Sequence, residues 1–169
     1  QTPSPRIMIF SAAGATGKSA LAHYLAHTFK CPYWNLALTP VGDSTFYGRL
    51  DKRIGRKNVD SFHSKLCVGE TALIIDAFDE AEIRRGRSDI ALFLDDIIEF
   101  SDGIQVPSII LLSRSENALF LQTYLTDHSI PLVHYEIGII DETNGKKFIQ
   151  LSLKQKGINV TPTVIDAIN

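Results

Sequence analysis

The sequence predicts a three-layer α/β fold built on a mostly parallel, five-stranded sheet. Three observations carry that expectation. Apolar, β-branched runs alternate with helix-period segments along the chain, the order that gives helices on both faces of a sheet. The central runs are apolar almost throughout, as strands covered on both faces must be. A tight glycine-bearing turn joins the first strand directly to the first helix.

Taken in order, the strand candidates are Arg6–Ser11, Tyr33–Leu38, Ala72–Asp76, Ser108–Ser113 and Leu132–Ile139. Lys18–Phe29 is the first helix and Val59–Leu66 a short second. In Asp89–Phe100 the residues Ile90, Phe93, Leu94, Ile97 and Ile98 form an i, i+3, i+4 stripe, with Asp95, Asp96 and Glu99 opposite. Ser88 is a suitable N-cap for it. Glu116–Thr126 is the fourth helix. Asp141–Lys156 is the fifth, capped by Asp141 and weakened by Gly145. Thr161-Pro162 opens a last one. Tyr33-Trp34 packs on or flanks the sheet edge. Pro40–Asn58 is polar and glycine-dotted and reads as a mobile connection. Residues 1–140 form the core and 141–169 the C-terminal helices, the start of a truncated helical lid or linker.

Composition narrows the class. At 169 residues the chain is one domain, or one domain and a fragment. Hydrophobic content of 44% and charged content of 21% are ordinary for a globular protein. A net charge of −2 gives no electrostatic case for nucleic acid or an anionic membrane. No apolar run approaches the roughly 18–20 residues that span a bilayer. Cys31 and Cys67 have no metal-type spacing, which suits a reducing cytosol and a cytoplasmic location. Gln1 at one end and Ile168-Asn169 at the other suggest a domain cut from a longer polypeptide.

The chemistry begins at Ala12-Ala13-Gly14-Ala15-Thr16-Gly17-Lys18-Ser19. Strand, turn and a helix opening on Gly-Lys-Ser make the phosphate-binding loop of a P-loop NTPase. Backbone N–H groups across Ala13, Gly14, Ala15, Thr16, Gly17, Lys18, Ser19 and Ala20 would face the phosphates of ATP or GTP, reinforced by the helix N-terminus. Lys18 would reach the β- and γ-phosphates, and the Ser19 hydroxyl would ligate Mg²⁺. Ala12 stands where the strict pattern has glycine. A left-handed alanine costs about 1–2 kcal/mol, so Ala12 is expected to keep a negative φ.

A second acidic segment follows. Ala72-Leu73-Ile74-Ile75 ends in Asp76, a carboxylate at a strand's C-terminal edge, where a Mg²⁺ shell needs one. Asp79 and Glu80 come three and four residues later. One metal-shell acid does not need two more, so this pair suggests a general base that activates water. The alternative is the acidic first turn of an ordinary helix. Ile109-Ile110-Leu111-Leu112-Ser113 then ends in Arg114. That cation either reads the γ-phosphate or is solvated at the strand end.

Phosphate loop, then Leu-Ile-Ile-Asp-Ala-Phe-Asp-Glu-Ala, then Ile-Ile-Leu-Leu-Ser-Arg-Ser resembles the signal-transduction NTPases with numerous domains, the STAND class, and its NACHT-like branch in particular. The likeness covers about residues 6–140. It implies a sheet order of 5-1-4-3-2, Asp76 serving Mg²⁺, and Glu80, with Asp79 as second choice, polarising the attacking water. It implies Arg114 as sensor. It further implies a switch that gates conformation and self-association, as a homo-oligomer, in a larger immune or antiphage signalling protein.

Two other functions stay open. A small-molecule or nucleoside kinase would use Arg84–Arg87 as a phosphate-clamping lid. A non-hydrolysing assembly module would bind nucleotide without turnover. His23 and His27, at i, i+4 on the first helix, are read as a polar face rather than a metal pair. Arg84-Arg85-Gly86-Arg87 is read as a solvated loop in preference to an arginine finger.

Overall fold

The computed structural model describes residues 4–14 and 16–138. The expected helices at Asp141–Lys156 and after Thr161 lie outside the described residues, as does the boundary at 140.

Five strands form one sheet: β1 (Ile7–Ala12), β2 (Tyr33–Asn35), β3 (Leu73–Asp76), β4 (Ile109–Arg114) and β5 (Leu132–Ile137). Their spatial order is β2-β3-β4-β1-β5 and every pair is parallel. Read from the other edge this is 5-1-4-3-2, the order implied by the resemblance. Among the described residues six helices flank the sheet: α1 (Lys18–Phe29), α2 (Thr45–Leu50), α3 (Val59–Cys67), α4 (Phe78–Arg85), α5 (Arg87–Phe100) and α6 (Ser115–Asp127).

Strand periodicity sorts the core into two faces. Ile7, Ile9, Leu73, Ile75, Ile109 and Leu111 pack with residues of α2, α3, α4, α5 and α6 in the main cluster. The alternate residues Ile74 and Leu112 pack with Ala22 of α1 and with Cys31 in a smaller one. Both faces are therefore covered, which explains why β3 is buried at all four positions.

Register decides where the strands end together. Ala12 pairs with Arg114, and Asn35 with Asp76. The C-terminal edge therefore gathers the phosphate-loop entrance, Asp76 and Arg114.

Several elements differ from the sequence reading. The second strand stops at Asn35 rather than Leu38, because Asn35 Oδ1 accepts the Ala37 N–H at 2.8 Å and caps a single 3₁₀ turn, Leu36–Leu38. Pro40–Asn58 is not a mobile connection. It holds α2, a π turn over Asp51–Gly55 and a 3₁₀ turn over Arg56–Asn58. Phe46 and Leu50 pin it, both fully buried on one face of α2. α4 stands outside the helices counted from periodicity, but it matches the alternative given for Asp79 and Glu80, which both lie in its acidic first turn. Ser88 does not cap α5, which starts one residue earlier, after Gly86 at φ 85° with no side-chain cap.

Candidate functional site

β1 delivers the chain into the phosphate loop. Ala12 is fully buried and is the last residue of that strand, so its backbone stays extended as expected. Left-handed geometry falls on Gly17 instead, at φ 88° and ψ 17°, where glycine carries no Cβ penalty. Gly17 is the N-cap of α1, and Leu21 N–H already bonds its carbonyl at 2.9 Å.

Lys18 folds back over this turn. Its Nζ donates to the carbonyls of Ala12 and Ala13 at 3.2 and 3.1 Å. Thr16 Oγ1 also donates to Ala13 O, at 2.8 Å. An ammonium has three N–H donors, so one remains for an anion.

A cleft of about 180 Å³ lies beside the loop, lined by Thr16, Gly17, Lys18, Ser19, Ala20, Asp76, Asp79, Glu80 and Arg114. It brings together all six side chains that the sequence singled out for chemistry. Ala13 and Gly14 do not line it, and Ala15 lies outside the described residues. A larger cavity of about 510 Å³ opens at the opposite edge of the sheet, between Phe29, Val68, Val106 and Ile110. Among its described lining residues the one charged side chain is Glu70, an acid that disfavours a phosphate.

The three carboxylates differ sharply. Asp76 is buried, and its oxygens accept from Tyr33 Oη at 3.1 Å and Ala77 N–H at 2.8 Å. Asp79 is buried too, with Oδ2 2.7 Å from Arg114 Nε, a charge contact rather than an aligned hydrogen bond. Glu80 is exposed. Desolvation, followed by the hydrogen bond and charge of Asp79, raises its carboxyl above the ordinary glutamate range.

Chain direction explains this difference. Ala77 is left-handed at φ 69° and turns the backbone abruptly from β3 into α4. The first turn of α4 then carries Asp79 inward and Glu80 outward. Tyr33 is the site residue that sequence reading missed as such. It pairs with Ile74, and its side chain reaches Asp76 diagonally across β2 and β3.

The arginine run is partly immobilised. Arg84 donates to the carbonyls of Leu36, Ala37 and Thr39. Arg87 pairs with Glu82 at 2.7 Å and lies over the Phe120 ring. All three arginines are exposed, as a solvated segment requires, but the loop is corrected to two helix ends: Arg84 and Arg85 close α4 and Arg87 opens α5. His23 and His27 are exposed, as a polar helix face requires, and the His23 ring lies 4.2 Å from that of Tyr33.

No family model matches the chain. Among solved structures it is similar to a DNA replication initiation factor, at 15% identity and a TM-score of 0.54, over 99% of this chain and 50% of that one. It is also similar to the replication initiator DnaA bound to AMPPCP and single-stranded DNA, at 16% identity and a TM-score of 0.52, over 98% and 50%. The fold is that of a P-loop NTPase. The chain spans about half the length of these structures. Among the described residues no helix is long and apolar enough to cross a membrane.

Proposed function

We propose that this chain binds a nucleoside triphosphate, ATP or GTP, with Mg²⁺, and hydrolyses it slowly as the switch of a larger protein. One observation carries the reading: a single cleft is lined by a P-loop lysine and serine, three carboxylates and an arginine. Cations and amide dipoles hold phosphate, while acids serve a divalent ion and a water.

The donor set suits Mg²⁺. Ser19 and Asp76 offer hard oxygens, and a carboxylate oxygen that accepts one hydrogen bond keeps capacity for a ligand. Bound there, the ion would neutralise charge on the β- and γ-phosphates. Lys18 holds the β- and γ-phosphates, and Arg114 the γ-phosphate. Glu80 takes the proton of the attacking water. Its raised carboxyl brings it nearer the working pH, where a general base is most effective. Loop amides from Thr16 to Ala20 orient the phosphates.

The finer assignment is to the STAND class, on Asp76, Ala77, Phe78, Asp79 and Glu80 followed by Ser113-Arg114. In that reading nucleotide state gates conformation and homo-oligomerisation of a cytoplasmic signalling protein, of the immune or antiphage kind. The kinase alternative draws little support, since a lid needs a mobile arginine and Arg84 is tied to three carbonyls.

The test is triphosphate hydrolysis by the full-length protein with no acceptor present. Lys18→Ala is expected to abolish binding, and Glu80→Gln to abolish turnover while binding persists. Turnover indifferent to both removes the proposal. Tight binding without any turnover in the parent protein favours the non-hydrolysing assembly module.

A further inference from the structure

We infer that Asp79 is a positioning residue for Arg114, and that this pair lets the cleft distinguish a triphosphate from a diphosphate. The inference rests on the nucleotide-binding reading above and assigns Asp79 a role other than the base. The Asp79 side chain is 3% exposed, and that of Arg114 47%. A carboxylate this buried cannot readily meet a bulk water, and it is held by the cation 2.7 Å away.

The geometry of the contact matters. Asp79 meets Arg114 through Nε, the inner nitrogen of the guanidinium. Arginine carries five N–H donors in a rigid planar fork. An attachment at Nε leaves the two terminal amino groups for a second anion, and Arg114 lines the same cleft as Lys18. Asp79 thus holds the inner end of the guanidinium by charge before ligand arrives. That reduces the ordering cost of bidentate contact with a terminal phosphate. A diphosphate, lacking the γ-phosphate, gains nothing from this arrangement.

The experiment measures binding of ADP and of a non-hydrolysable ATP analogue to the full-length protein with Mg²⁺. The parent is expected to prefer the triphosphate, and Arg114→Ala to lose that preference. Asp79→Asn should reduce the preference about tenfold, the loss of one charge-assisted contact. The double variant should be no worse than Arg114→Ala, because the two residues act as one unit. Arg114→Lys, which keeps the charge and lacks the fork, covers the case in which Asp79→Asn does not fold. It should behave like Arg114→Ala. Full preference retained in Asp79→Asn, with hydrolysis lost, makes Asp79 the base and overturns the inference. Full preference retained in Arg114→Lys overturns it as well. A parent that binds neither nucleotide overturns the underlying reading, and does so before any substitution is made.

Discussion

The Tyr33 hydroxyl donates to Asp76 Oδ2 across 3.1 Å, so a phenol on the edge strand helps to orient a buried carboxylate that lines the cleft. Burial, then the charge of Asp76, pushes that phenol up to about 12. It therefore stays protonated, and a donor, throughout the neutral range. Tyr33→Phe leaves one oxygen of a buried carboxylate without this partner. The expected cost is about 1–3 kcal/mol in chemical denaturation. The Mg²⁺ concentration that supports nucleotide binding should rise in the same variant. A Phe variant with unchanged stability and metal dependence makes the hydroxyl incidental.

Ala77 holds a backbone conformation that an L-residue adopts at a cost, φ 69° and ψ 39°, between Asp76 and α4. The penalty is about 1–2 kcal/mol, partly offset in a glycine variant by greater freedom of the unfolded chain. Ala77→Gly should therefore raise the melting temperature by about 2–4 °C. Ala77→Val should lower it, since a branched Cβ suits this region still less. Both shifts are read by differential scanning calorimetry. A glycine variant that melts lower than the parent shows that the methyl contributes more through packing than the turn costs.

Much of this architecture is written in local patterns. The apolar strands Leu73–Asp76 and Ile109–Arg114 and the stripe of α5 need no tertiary information to be seen. The phosphate loop, Asp76 and Arg114 are legible because each sits at a strand end, where chain order and chemistry coincide. The segment Pro40–Asn58 is different. α2 is six residues long with Gly48 inside it, too short for helical periodicity to register. Its structure comes from distant residues: the Phe46 ring lies 5.2 Å from Trp34, 5.7 Å from Phe93 and 5.2 Å from Phe100. The Asp79–Arg114 pair was hidden for the same reason, since the two residues lie on separate elements and meet only once the sheet has formed.

The contribution of that segment can be measured. Phe46→Ala removes a fully buried ring from the aromatic cluster and should cost about 3–5 kcal/mol. A guanidinium titration reads this as a lowered midpoint. A truly mobile connection would give a change near zero, and that result would return Pro40–Asn58 to the description drawn from its composition.

Glu80 supplies a prediction in which function and stability oppose each other. Its carboxyl is raised in the folded protein, first by desolvation and then by Asp79. Between the unfolded value, about 4.3, and the higher folded one, the folded state binds more protons. Stability therefore falls as pH rises through that window. Above it Glu80 is charged in both states and carries the whole cost, which solvent screening keeps small because the residue is exposed. Glu80→Gln removes the cost. The variant should melt above the parent near neutral pH, and the gap should close as pH falls below about 4. The same substitution should stop hydrolysis, the exchange of stability for activity expected where a destabilised group does the chemistry. Thermal scans of both proteins across pH 3.5–8 test this. A gap that is constant with pH would mean that Glu80 titrates as an ordinary surface acid, and would remove the physical argument for preferring it as the base.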